Sequence, residues 1–392
     1  MVRAYDYCRR RGLNKKGGIA AVPLGRRARG RPRERWLYNE DLELGKDGGY
    51  SGAYQFFSPT IVIKDPELLK QVTVKDFDHF TDHRSIIPED ADPLMGKNLF
   101  ALKGQKWRDM RAILSPSFTS SKMRVMFALM AECAENFVQH FLKKDEEVVT
   151  VEFKDIFTRY TNDVIATTAF GIKVDSLGQP NNEFYLMGKE ATNFGFWKTL
   201  KFLGFALLPK LYELLKVSLF GSKGKIPTEL TDLDITAQAL IFFFAGFETV
   251  STNMSFAAYE LAANPDIQDK LRKEINATLE ECGGQLTYEG LLKMKYLDMV
   301  ISEALRKWPN AVAIDRVCTK PYTINPVTPE EKPLYLEKGS LLLLPIFAIH
   351  RDPENYPNPD RFDPERFSDE NKGNINPYTY CPFGLGPRNF LT

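Results

Sequence analysis

Helices should dominate this chain of 392 residues, with a small β portion. Three features say so. The stretch Asp232–Asn264 contains no proline until Pro265 and is apolar on nearly every face from Ala237 to Phe247, the pattern of a helix that belongs inside a protein. At 1.5 Å per residue it would run roughly 50 Å as one helix. The first half of the chain is a succession of amphipathic stretches of helical period, Thr119–Leu142, Phe153–Phe170 and Asn182–Leu200. Short runs that read as strands of a small sheet gather late, at Pro321–Ile324, Pro333–Leu336 and Ser340–Leu344.

From the start, Met1–Arg35 holds twelve Lys/Arg against Asp6 and Glu34, so this stretch is strongly basic while the chain as a whole has a formal charge of +1. Residues 1–40 are therefore expected to be a disordered basic tail, and 41–392 a single folded domain. The tail has no apolar segment of a secretory signal. An Arg-rich leader or a nucleic-acid contact are alternatives to a solvated tail. Tyr54–Ile63 alternates and should be a strand, Pro66–Val72 a helix, Thr81–Leu99 a long loop and Lys103–Ala112 a helix. A helix starts at Lys210–Leu219, and Gly221–Pro227 is a polar joint before the central helix, whose start Thr231 and Asp234 would cap. Pro265–Cys282, Thr287–Lys293 and Leu297–Lys307 continue as helices, and Asp352–Phe367 is irregular and proline-rich. The five cysteines lie far apart with no paired spacing, which favours a reducing compartment. None of the four histidines has a second ligand at metal spacing. No continuous apolar run approaches the roughly 18 residues of a membrane span.

Chemistry concentrates in five places. In the apolar middle of the central helix stand Ala245, Gly246, Phe247, Glu248 and Thr249. The glycine weakens the helix and permits close approach, and the carboxylate and hydroxyl could pass protons; the bland alternative is a core helix with Thr249 bonded back to its own turn. Trp107 and Arg111, four residues apart, share a helix face and could hold a carboxylate from one side, or could simply pack. Glu303 and Arg306 lie three residues apart, and Arg366 in Pro364–Phe367 could complete a carboxylate–guanidinium lock. Arg316 enters a strand. The two glycines of Pro382–Asn389, with Phe383, Gly384 and Arg388, permit a tight loop that could approach a flat ligand.

In their order and spacing these motifs resemble a cytochrome P450, of the insect microsomal kind that metabolises xenobiotics, from about Tyr50 to Asn389. The resemblance implies a mainly α fold with a small β portion. It also implies haem as cofactor, with electrons from NADPH through a separate reductase and a small hydrophobic substrate. Gly246, Glu248 and Thr249 would be the catalytic acid–alcohol motif. Ala245, Trp107, Arg111, Arg316, Phe383, Gly384 and Arg388 would bind the cofactor, and Glu303, Arg306 and Arg366 would lock the core. Phe243, Phe244, Phe247, Val312 and Ile314, with the Ser85–Phe100 loop, would line an apolar pocket; plain core packing is the alternative for the phenylalanines. Lys103, Lys106, Arg108, Lys122 and Arg124 would face the reductase. No nucleic-acid partner is expected. The family's setting implies the endoplasmic reticulum membrane, with cytoplasm or mitochondrion as alternatives.

The chain departs from the family pattern at three places. Phe390 stands where the family carries its iron-ligating cysteine, two residues after the loop arginine, so no metal ligand is expected. Cys381 lies on the other side of the loop. At Gly221–Pro227 two helices that roof the pocket are expected to be missing, and the family's membrane anchor is replaced by the basic tail. These departures imply an incomplete or altered product with impaired catalysis. The alternatives are a non-catalytic haem or hydrophobic-ligand binder, or a non-functional fragment.

Overall fold

The computed structural model describes residues 49–55, 58–85, 87, 92–144, 148–193, 195–207, 232–326 and 332–389. In chain order the elements are β1 (Tyr50–Gln55), β2 (Ser58–Ile63), α1 (Pro66–Lys70), α2 (Pro93–Gly96), α3 (Gly104–Leu114), α4 (Ser120–Leu142), α5 (Phe153–Phe170), α6 (Glu183–Thr192) and α7 (Phe196–Leu207). There follow α8 (Asp232–Phe244), α9 (Val250–Ala263), α10 (Pro265–Glu281), α11 (Tyr288–Lys293), α12 (Lys295–Lys307), β3 (Ile314–Val317), β4 (Tyr322–Ile324), β5 (Leu334–Leu336), β6 (Leu341–Leu344) and α13 (Ile346–His350). A π turn, Gln71–Lys75, follows α1, and a second, Ala245–Thr249, joins α8 to α9. The mainly helical expectation holds. Two compact units result, one from the residues up to Thr81 with Leu305–Asn389, the other from Asp82–Ala304.

The first unit is built on a four-stranded sheet in the order β1-β2-β6-β3. β1 and β2 form an antiparallel hairpin, β2 runs parallel to β6, and β3 returns antiparallel to it. The single strand expected at Tyr54–Ile63 is therefore two strands, the first beginning at Tyr50. Asp65 starts α1 by accepting from Leu68 N at 2.7 Å, with Pro66 at the first helical position, where its missing N–H costs nothing. Ile61 and Ile63 from β2 and Leu342 and Leu344 from β6, two apart as the pleat requires, are buried with Leu68, Leu69 and Val72. Side chains of this size stabilise by about 1.5–3 kcal/mol each on burial. β4 and β5 pair separately.

In the second unit, α5 packs against α9, α4 and the second π turn. It has the bounds the sequence predicts, and Gly171 ends it at φ +66°, a left-handed cap with Ile172 N donating to Ala166 O. The helix expected over Asn182–Leu200 is two, α6 ending at Thr192 and α7 beginning at Phe196; Asn182 caps α6 through Tyr185 N. α8, the π turn and α9 together make the central helix, Asp232–Ala263. By length and composition it could cross a membrane, with a mean hydropathy of 1.4. A core helix passes the same test, and the apolar residues here are not continuous, being interrupted at Gln238, Glu248 and Thr249. The expected tail 1–40, the helix start at Lys210–Leu219, the Gly221–Pro227 joint, the Thr231 cap and Phe390 lie outside the described residues.

Candidate functional site

The middle of the central helix is widened at Ala245–Thr249, where one π turn interrupts the α ladder. A π turn disturbs the regular pairing of carbonyls with the amides four residues on, so side chains must help to satisfy them. Here hydroxyls do so. Thr249 Oγ1 donates to Ala245 O, as the bland reading of this residue foresaw. Phe247 O accepts from Ser251 Oγ at 2.9 Å and from Thr161 Oγ1 of α5 at 3.0 Å. Glu248 O accepts from Thr252 Oγ1 at 2.7 Å and from Lys154 Nζ, also of α5, at 3.2 Å. Lys154 further pairs with the half-exposed Glu248 carboxylate at 2.9 Å. A carboxylate is thus held at the edge of the widened turn, a hydroxyl within it, and a lysine beside both. Gly246 admits Ile165 of α5, whose Cδ1 would lie 2.6 Å from any added Cβ.

Phe243 and Phe247 are buried against Tyr185, with Ile165, Phe170, Phe184 and Phe244 around them. Their rings stack 4.9 Å apart, and Gly188 of α6 leaves the space that Phe243 occupies. This is the core-packing alternative for these two residues. On α3, Trp107 is buried and Arg111 half-buried, with desolvation lowering the arginine's pKa. Lys103, Lys106, Arg108, Lys122 and Arg124 are exposed, and Arg124 also pairs with Glu289.

In the first unit, Arg316 of β3 is fully buried, and burial pushes its pKa down to about 10, with Asp315 pulling the other way. Its Nη1 donates to Asp315 O, and Nη2 lies 3.4 Å from Leu385 O in the glycine loop. Arg388 is buried and donates through Nε to Thr81 O at 2.7 Å. The loop itself turns through two left-handed glycines, Gly384 at φ +83° and Gly386 at φ +69°. A Cβ on Gly386 would run into the carbonyl of Thr73, in the first π turn. Gly384 lies under Ile314, Phe383 is exposed, and Val312 is 60% exposed.

Glu303 and Arg306 are both fully buried. Arg306 donates to His350 O at 2.7 Å and Pro359 O at 2.8 Å, and Arg366 donates to Asn358 O at 2.9 Å. The two arginines therefore grip one irregular stretch by its carbonyls, a role that their charge alone does not announce. His350 extends this network: Nδ1 lies 3.1 Å from Arg306 O, and Nε2 accepts from Cys381 N at 3.0 Å. Its pKa is pushed down to about 3, by burial first and by the Arg306 charge. Cys381 is buried and burial pushes its thiol up to about 12, so it is a neutral core residue. Sequence reasoning passed over His350, Lys154, Thr161 and Gln238, the last of which accepts from Leu99 N at 2.8 Å and donates to Lys97 O at 2.7 Å; the one available signal was a lone amide, Gln238, within an apolar helix.

A family model described as cytochrome P450 matches residues 48–214 and 207–389. The chain belongs to the cytochrome P450 family. It is 46% identical to cytochrome P450 9e2 of Blattella germanica over 87% of this chain and 75% of that one. It is 41% identical to the probable cytochrome P450 9f2 of Drosophila melanogaster, over 92% and 80%. Cytochrome P450 3A25 of Mus musculus is 36% identical, over 91% and 77%. Membership implies a monooxygenase that uses haem and reductase-supplied electrons. Part of the site fits that cofactor. Guanidiniums that bear a desolvation cost, Arg316 above all, suit the carboxylates of a haem, and the left-handed glycines leave a loop without side chains at two positions. Phe390, which the resemblance sets where the family has its cysteine, lies outside the described residues, and a benzyl side chain has no lone pair for iron.

Proposed function

We propose that this chain descends from oxidases of small hydrophobic compounds that use dioxygen and NADPH-derived electrons, and that its own catalysis is impaired at Phe390. Haem, when bound through a thiolate, supplies the activation of dioxygen. The chain's residues supply the rest. By the family resemblance, Trp107 and Arg111 of the second unit and Arg316 and Arg388 of the first would be propionate partners, and Ala245, Phe383 and Gly384 would be further cofactor contacts. Thr249 would hold a proton within the widened turn, and Glu248 would deliver one from solvent after leaving Lys154. Glu303, Arg306 and Arg366 would keep the irregular stretch and the glycine loop in place. Phe243, Phe244 and Phe247 of the second unit and Val312 and Ile314 of the first would be the substrate-contact residues. The exposed lysines and arginines of α3 and α4 would meet the reductase, at an endoplasmic reticulum membrane.

The observation that carries this reading lies within the first unit, the buried Arg316 and Arg388 at a two-glycine loop; in the second unit, taken by itself, the π turn at Ala245–Thr249 supports it. Phe390 favours a second reading, a haem or hydrophobic-ligand binder without monooxygenase chemistry. The spectrum of the reduced, carbon-monoxide-bound protein, expressed with haem supplied, tests both. A histidine- or water-type Soret band is expected. A thiolate-type band would overturn the impairment, and no haem band would overturn the retained grip.

A further inference from the structure

Within the first unit, the start of the two-glycine loop is held by a side chain that the sequence motifs do not name. His350 closes α13, and its ring lies between two backbone groups that leave it one neutral form. Arg306 O can only accept, so Nδ1, 3.1 Å away, carries the proton. The amide of Cys381 can only donate, so Nε2, 3.0 Å away, presents its lone pair. Arg306 returns the contact by donating through Nη1 to His350 O at 2.7 Å, so each residue holds the other's backbone with its side chain. Cys381 passes the hold onward. Its carbonyl accepts from Gly384 N at 3.0 Å, which closes the turn at the first left-handed glycine. The far end of the loop is tied separately, by Arg388 to Thr81 O.

The side chains that face the imidazole are neutral or oppose a second proton. Arg306 brings a positive charge from α12. Tyr356 meets the ring edge-on at 6.3 Å with its hydroxyl engaged by Thr379 O, and Tyr380 stacks on it at 5.8 Å. Cys381 presents a neutral thiol, and Arg351, the next residue, turns to Lys307 O and Asp360. A second proton on Nε2 would set one N–H against another at Cys381, with both residues buried away from water.

We propose that His350 is a positioning residue: acting through Cys381 N, its neutral ring fixes the entry of the loop Cys381–Arg388 on the end of α12, and a second proton on the ring releases that entry while the sheet stays folded. Its functional weight rests on the reading that this loop contacts the cofactor; a missing haem band would overturn that reading and leave the loop's exchange as it is.

The full chain is compared with two variants by amide hydrogen exchange between pH 7 and pH 4, corrected for the intrinsic pH dependence of exchange. The ring takes a proton at about 3 when held and near its ordinary 6.5 when free, so the released fraction grows nearly tenfold per pH unit between them. Protection at Cys381 and Gly384 should therefore fall about fifty- to hundredfold from pH 6 to pH 4, while Leu342–Leu344 of β6 stay protected. His350→Gln sets an uncharged acceptor near the place of Nε2 and should hold the loop with little change across this range. His350→Asn reaches only the place of Nδ1, so protection at Cys381 should lie about tenfold below the parent at pH 7 and stay flat. Where either variant fails to fold, the parent's thiols decide. Labelling by 4,4′-dithiodipyridine, a disulfide that still reacts with thiols in acid, is measured against the same thiols in the unfolded chain. Cys381 should become accessible between pH 6 and pH 4, and Cys318, buried beside the sheet, should not. Equal protection at pH 6 and pH 4, a loss shared by β6, a His350→Gln variant with the parent's slope, a His350→Asn loop as protected as the parent's, or Cys318 labelled alongside Cys381 would each overturn the proposal.

Discussion

The molecule has two π turns, and they are braced differently. In the first, Gln71–Lys75, Thr73 donates to Leu69 O at 2.6 Å, and the Thr73 carbonyl meets the backbone of Gly386, where no side chain intervenes. In the second, Ala245–Thr249, the corresponding threonine again bonds back four residues, but the exposed carbonyls are taken by Thr161 and Lys154 from another helix. One turn is held by backbone against a loop, the other by replaceable side chains. The difference teaches that a widened turn can be either a fixed seat or an adjustable one. The glycine loop rests on the fixed seat; the residues read as proton carriers rest on the adjustable one.

Gly386→Ala should break the first turn's arrangement most severely. The added methyl meets the Thr73 carbonyl in a left-handed conformation, which together should cost about 2–5 kcal/mol in chemical denaturation. Acid should strain the same unit through His350. Its native pKa lies below its unfolded value, so the contribution is fully present above about pH 6.5 and is lost as pH falls toward about 3. Unfolding at pH 5 should show a loss of about 2 kcal/mol relative to pH 7, and His350→Gln should remove most of that slope. At the second turn, Thr161→Val removes a buried hydroxyl from Phe247 O and should cost about 1–2 kcal/mol. Exchange at the amides of 245–251 should rise with it. Lys154→Met should cost less, about 0.5 kcal/mol, since its partner carboxylate is half-exposed. Equal costs for Gly386→Ala and Lys154→Met would erase the distinction between the two turns.

Much of this was legible in the sequence, for reasons that particular residues show. Phe153–Phe170 has a clean period and a glycine stop, and its bounds follow. Prolines marked Asp352–Phe367 as irregular, and it carries a single short turn of 3-10 helix at Pro364–Phe367 with no longer element. The hairpin of β1 and β2 was hidden because its apolar run contains no turn dipeptide of the usual kind, and α6 and α7 merged because only Asn193–Gly195 divides them. The π turn at Ala245 was invisible, since it widens the helix without altering its composition. In the candidate site, motif spacing found the arginines but not what they hold: Arg306 and Arg366 bind carbonyls, which no side-chain pattern records. Gln238 escaped for a similar reason. Its partners are 139 and 141 residues away and are backbone atoms.

The second π turn also sets a phase. In an α-helix each residue turns the chain by 100°, and a π turn accommodates about one residue more than an α turn would. The faces of α8 and α9 are therefore offset by that one residue: Asp234 and Gln238 look to the segment before α3, while Ser251 and Thr252 look to Lys154. Deletion of a single residue within Ala245–Thr249 would restore a continuous α ladder and leave the faces of α8 and α9 nearly in phase, whereas deletion of one residue from the regular turns of α9 would rotate all that follows by about 100°. The helix works as two cams keyed on one shaft, and the widened turn is the key.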